Sequence, residues 1–265
     1  MPFAGEPTGL FLWVAVVFLG LCFGSFANVL IWRLPRNQSL IKPRSRCPSC
    51  GNQLKWYHNI PVLSWLALRG RCAFCRTRIS WIYPVVELAT AGLFAAFYAR
   101  YGVSWTTLGF WYMALTLVAV FFIDLEHQII PNRLTYPGVA VGVATSLVSS
   151  HLPWQQSLLG VVVGGGVFVA VAVLGKWLFH KDSMGGGDVK LAAMLGAFLG
   201  VGRVLLVFVF SAAIGLVISL VAMAFSAKLR RDRLIPFGPF IALATIVVAF
   251  YGETIVNFYV VHFLQ

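Results

Sequence analysis

Residues 204–225 read VLLVFVFSAAIGLVISLVAMAF, an apolar run without a charged side chain. About 20 such residues in a helix cross the hydrocarbon core of a bilayer. Residues 10–32, LFLWVAVVFLGLCFGSFANVLIW, form a second run of the same kind. The rest of the chain does not offset them. Of 265 residues, 60% are hydrophobic and 11% charged, which leaves too few polar side chains to cover a soluble domain of this length. The expected fold is an all-α polytopic membrane protein. Cutting at polar and Gly/Pro breaks predicts about eight transmembrane helices, near 10–32, 82–99, 105–123, 134–150, 156–179, 188–202, 204–226 and 237–260. The least marked boundary is 202/203, where only Gly200, Gly202 and Arg203 signal a turn. Residues 1–9 contain no Lys or Arg, and further apolar runs follow, so 10–32 reads as an uncleaved helix and not a signal peptide.

Charge then orients the spans. Residues 33–81 hold ten Lys/Arg and no Asp or Glu, which assigns this segment to the cytoplasm. Alternating from there, the connections 124–133, 180–187 and 227–236 are also cytoplasmic and both termini are external. Eighteen of the 20 basic residues then lie inside, Arg100 and Arg203 being the exceptions. A miscounted span would scatter these charges over both faces. The net charge of +12 is met by anionic headgroups of the lipid bilayer and implies no nucleic acid. The chain accordingly divides into a first transmembrane helix (1–32), a cytoplasmic insert (33–81) and a transmembrane core (82–265).

The insert carries four of the five cysteines, as Cys47-Pro-Ser-Cys50 and Cys72-Ala-Phe-Cys75, separated by 21 residues. Each CxxC places two thiolates on one side of a tight turn, and two turns make a tetrahedral S4 site for structural zinc. Arg71, Arg76 and Arg78 flank the second pair, where cations stabilise a zinc–thiolate core. Two disulfides or uncommitted thiols are the alternatives. A cytoplasmic location disfavours the first, and a segment of roughly 40 residues needs some staple to fold. A closed S4 site has no open position for water, so the metal is not expected to be catalytic. Cys22, inside the first span, reads as a packing residue.

Acidic residues are scarce: eight Asp/Glu in all, with Glu6 the only one before Glu87. An acid at membrane depth is costly, which makes each one a candidate site. Asp124 ends the third expected span and Asp188 opens the sixth, so both carboxylates lie at the cytoplasmic edge. Two carboxylates sharing one proton form a general acid/base pair. Gly185, Gly186 and Gly187, just before Asp188, let substrate backbone approach closely. Read singly, each aspartate fits a helix cap equally well, and Glu126 with His127 offers another acid and base. The matched depth of the two aspartates favours catalysis.

These residues resemble those of the prepilin peptidases, or type 4 prepilin leader peptidases. The resemblance runs through Gly24-Ser25-Phe26-Ala27-Asn28-Val29, Arg33-Leu34-Pro35, the double CxxC and Tyr83-Pro84-Val85-Val86-Glu87. It continues through Asp124 to Ile130-Pro131-Asn132-Arg133-Leu134-Thr135, then Gly185-Gly186-Gly187-Asp188-Val189-Lys190-Leu191 and Pro236-Phe237-Gly238-Pro239. It implies a bifunctional enzyme of the bacterial inner membrane. Such an enzyme cuts basic leaders from type IV prepilins and pseudopilins at the cytoplasmic face, then N-methylates the new terminus with S-adenosylmethionine. Asp124 and Asp188 match the catalytic aspartates, and the four cysteines match a zinc-type insert.

No Gly-rich nucleotide loop marks a methyl-donor site. Glu87, near the insert in depth, is a candidate for binding cofactor or the substrate amine, or equally a helix-capping acid. Asn28 is a candidate for bonding extended substrate backbone, Arg33 a headgroup anchor, and Lys190 either an electrostatic tuner of Asp188 or a snorkelling lysine. A proton-coupled transporter would instead hold acids near the bilayer midplane. A zinc-dependent scaffold would use the aspartates only as caps.

Overall fold

The computed structural model describes residues 7–180, 185–225 and 236–263. It contains α1 (Pro7–Arg33), α2 (Leu63–Ala67), α3 (Ile82–Tyr101), α4 (Trp105–His127), α5 (Asn132–Val148), α6 (Trp154–Phe179), α7 (Gly186–Phe225) and α8 (Gly238–Phe263). A 3-10 turn at Trp56–Asn59 precedes α2. Among the described residues there is no strand, only two single-pair β-bridges, Arg46 with Gln53 and Arg71 with Arg78. The all-α expectation is met.

Six helices among the described residues are long and apolar enough to cross a membrane: α1, α3, α4, α6, α7 and α8. Three expected spans depart from this pattern. The one near 134–150 is α5, only 17 residues long and with Pro137 inside it. Those near 188–202 and 204–226 merge into α7, whose 40 residues break at Gly200 (φ 75°, ψ −179°). The expected turn after Gly202 is absent, and Gly202 and Arg203 remain helical. Gly200 alone takes the left-handed φ that interrupts a helix without steric cost.

The chain forms two compact units, Met1–Ala119 and Val120–Gln265, divided inside α4.

In the first unit α1 and α3 run antiparallel in a four-residue register. Gly20 lies against Ala91, Gly24 against Glu87, and the Asn28 Nδ2 donates to the Tyr83 carbonyl at 3.1 Å. A Cβ on Gly24 would come within 2.5 Å of the Glu87 Cα, so the two backbones approach as closely as glycine permits. Small residues at one helix-facing stripe are the usual means of such contact in membranes.

In the second unit α6 and α7 cross on Gly160 and Gly196, where a Cβ on either would overlap the other's backbone. The buried Ser157 hydroxyl seals the crossing by donating to the Ala197 carbonyl at 2.7 Å. Gly142 of α5 rests on Ala197 and Phe198. Residues 191–200 of α7 are buried almost without interruption, whereas Leu216, Val217, Leu220 and Val221 are exposed. The first half of α7 is therefore the interior rod of this unit, and its N-terminus carries Asp188.

Candidate functional site

Asp124 stands on the last turn of α4, which ends where Gln128 turns left-handed (φ 54°) and its amide returns to the Asp124 carbonyl at 2.9 Å. Pro131 then starts α5 from an extended conformation. Asp188 lies in the first turn of α7, its amide bonded to the Gly185 carbonyl at 3.1 Å. Both aspartates are buried, 5% and 9% exposed, and they lie close enough for their charges to interact. The two sequence-distant carboxylates therefore come within electrostatic reach of each other in one unit.

Each has a fixed hydrogen-bond donor. The Gly238 amide, at the start of α8, donates to the Asp124 Oδ2 at 2.8 Å. The Gly185 backbone bonds the Asp188 carboxylate. Room for this arrangement depends on missing side chains: a Cβ on Gly238 would lie 2.6 Å from the Asp124 Oδ2, and one on Gly187 would lie 2.9 Å from the Ile130 Cβ. Gly186, by contrast, has open space beside it. The role of Gly238 was not read from the sequence, although a Gly-Pro pair at the start of a span was visible there.

Lys190 does not bond Asp188. Its Nζ donates to the Asn132 Oδ1 at 2.9 Å and lies over the Tyr136 ring, 5.6 Å from its centroid. It thus joins the start of α7 to the start of α5, two residues from Asp188. Glu126 and His127 face each other at 3.8 Å, with the glutamate well exposed.

The cysteines form a second centre, in the first unit. The Sγ atoms of Cys47, Cys50, Cys72 and Cys75 all lie within 4.8 Å of one another. Cys47 and Cys75 are 3.8 Å apart, as expected along the edge of a tetrahedron with metal–sulfur bonds of ~2.3 Å. Two like-built turns supply them. In the first, Cys47 and Asn52 pair backbone to backbone and the Gly51 amide returns to Cys47; in the second, Cys72 pairs with Thr77 and the Arg76 amide returns to Cys72. The Thr77 hydroxyl and amide lower the Cys75 thiol to about 6. The Cys50 amide lowers that of Cys47. Cys50 is raised to about 11: the Asn52 amide favours its thiolate, but burial and the neighbouring cysteines outweigh that bond. Crowded thiolates of this kind are what a divalent cation relieves, so the donor set fits zinc.

Glu87 joins the two parts of the first unit. Its carboxylate, 7% exposed, accepts the Val62 amide at 2.7 Å and bonds the Ser25 side chain. Val62 precedes α2 with a positive φ (60°), which is strained for a β-branched residue. Glu87 thus bonds internally, to Val62 and Ser25. It is also no cap of its own helix, because it stands a full turn inside α3. Asn28 is likewise committed, to Tyr83. Arg33 donates to the Ser39 and Pro43 carbonyls at 2.8 and 2.6 Å and so holds the first loop of the insert.

Comparison with known proteins agrees with this layout. The family described as "Bacterial Peptidase A24 N-terminal domain" matches residues 18–101, and the "Type IV leader peptidase family" matches 111–220. A prepilin leader peptidase/N-methyltransferase of Myxococcus xanthus is 42% identical over 202 residues, 76% of this chain and 60% of that protein's length. Proteins of the same name from Xanthomonas campestris and Neisseria gonorrhoeae are 35% and 34% identical and cover 91% and 92% of this chain, and 92% and 93% of their own. No solved structure matches.

Proposed function

The chain belongs to the type IV leader peptidase family, and from this membership we propose that it cleaves leader peptides from type IV prepilins and pseudopilins with Asp124 and Asp188. The pairing of these two buried carboxylates within one unit is the observation that carries the reading. One carboxylate, ionised, takes a proton from water as the water oxygen attacks the scissile carbonyl. The other, protonated, donates to the carbonyl oxygen and then to the departing amine as the C–N bond breaks. Gly238 and Gly185 hold the two side chains by backbone amides, so neither must reorient when substrate arrives.

Eight membrane crossings support the same reading. A 40-residue helix would extend about 60 Å, twice the hydrocarbon thickness, so α7 counts as two crossings broken at Gly200, and α5 is a short one. The positive-charge rule then directs the dyad to the cytoplasmic face of a bacterial inner membrane. The four cysteines would hold zinc, which supplies the insert with a structural cross-link. The relatives' shared name further supports N-methylation of the new amino terminus, with S-adenosylmethionine as donor. The internal bonds of Glu87 support a role in holding the insert.

The test uses purified protein and a prepilin. Asp124→Asn and Asp188→Asn should each lower cleavage by roughly 10² to 10⁴-fold, read by release of the leader on a gel. Undiminished cleavage by either variant rejects the dyad.

A further inference from the structure

The insert presents an exposed apolar foot that the proposed chemistry does not use. Leu63 and Leu66, three residues apart on one face of α2, are 65% and 57% exposed, and Trp56 in the preceding 3-10 turn is 80% exposed. Their depth follows from the Glu87 bond. Glu87 lies about 7.5 Å along α3 from Ile82, at 1.5 Å per residue, so the Val62 amide bonded to it sits beside the second turn of a membrane-crossing helix. The segment that follows Val62 starts at that level. Leu63 and Leu66 are therefore exposed close to the level at which α3 begins.

The charge around the foot names its partner. Lys55 and Arg69 flank it, both exposed, and residues 33–81 contain no acid at all. Apolar side chains beside basic ones, with tryptophan at the headgroup level, are how interfacial helices hold an anionic lipid surface. We infer that Trp56–Leu66 is seated in the headgroup layer of an anionic bilayer, where it fixes the height of the cysteine cluster above the membrane. Three contacts would then hold the insert: the Glu87 bond, the Arg33 bonds to its first loop, and this lipid-facing foot.

The experiment places the full chain, with zinc bound, in nanodiscs that contain a phospholipid with a diazirine at the glycerol end of its acyl chain, just beneath the headgroups. After photolysis the labelled residues are mapped by mass spectrometry. In phosphatidylglycerol the foot should be labelled along with α3, and in phosphatidylcholine its labelling should fall several-fold while that of α3 holds. Leu63→Gln combined with Leu66→Gln should remove the label at 56–66, with zinc content and α3 labelling as controls for folding. An unlabelled foot in both lipids overturns the inference. So does cross-linking of this segment to a second copy of the chain or to another protein. Equal labelling in the two lipids overturns the anionic preference.

Discussion

Gly238 illustrates how one residue sets the surroundings of Asp124. Its amide reaches the Asp124 carboxylate at 2.8 Å, and its missing Cβ leaves room for the same carboxylate. Gly238→Ala keeps the amide but forces the two groups apart. Misplacement of a reacting group by about 1 Å costs ~10²-fold in rate, so cleavage should fall by about that factor while the protein stays folded. Gly186→Ala, in open space, should leave cleavage within a few-fold of the parent. Parallel cleavage assays on the two variants check the pair; equal losses would mean that the steric account is mistaken. A second residue carries backbone strain. Arg76 adopts φ 60° at the turn position that Gly51 fills in the first cysteine loop with φ 71°. A left-handed non-glycine residue costs ~1–2 kcal/mol. Arg76→Gly should therefore raise the chelator concentration needed to strip the metal, measured with a colorimetric zinc indicator.

At the scale of elements, the link between α3 and α2 deserves a direct test. Removing the Glu87 carboxylate leaves the Val62 amide without its partner, at a cost of about 1–3 kcal/mol. In Glu87→Ala the amides of 62–67 should exchange with deuterium markedly faster than in the parent. Glu87→Gln retains an acceptor and should restore most of the protection. Unchanged exchange in the alanine variant would show that the insert is held by other contacts. The crossing of α6 and α7 is less forgiving. Gly160 and Gly196 already touch backbone to backbone, so Gly196→Leu must separate the helices and shift the whole N-terminal half of α7. Loss of thermal stability in detergent and of cleavage should appear together.

For the whole molecule, the orientation implied by charge can be read from outside the cell. A single cysteine placed in the 227–236 connection should react with a membrane-impermeant maleimide only in inverted vesicles. One placed at 150–153 should react in intact cells. The reverse pattern would exchange the two faces and put the dyad on the opposite side. The Arg203 guanidinium, bonded to Glu253 at 2.7 Å and 3.3 Å from the His151 ring, belongs to this second face and ties the break in α7 to α8.

The sequence by itself determined the membrane class, the helical fold, the four cysteines as one cluster and the two aspartates as a matched pair. Those features are encoded locally, in apolar run length, in CxxC spacing and in acids placed where acids are scarce. Only the tertiary structure decided what each polar group touches. It moved the break in α7 to Gly200, gave Lys190 to Asn132 and not to Asp188, and turned Glu87 toward Val62 and Ser25. It also brought Gly238 to Asp124 across 114 positions of chain. These outcomes depend on how closely two helices approach and in which register. Register is set by glycine contacts such as Gly24 with Glu87 and Gly160 with Gly196, and these exist only once both helices are in place.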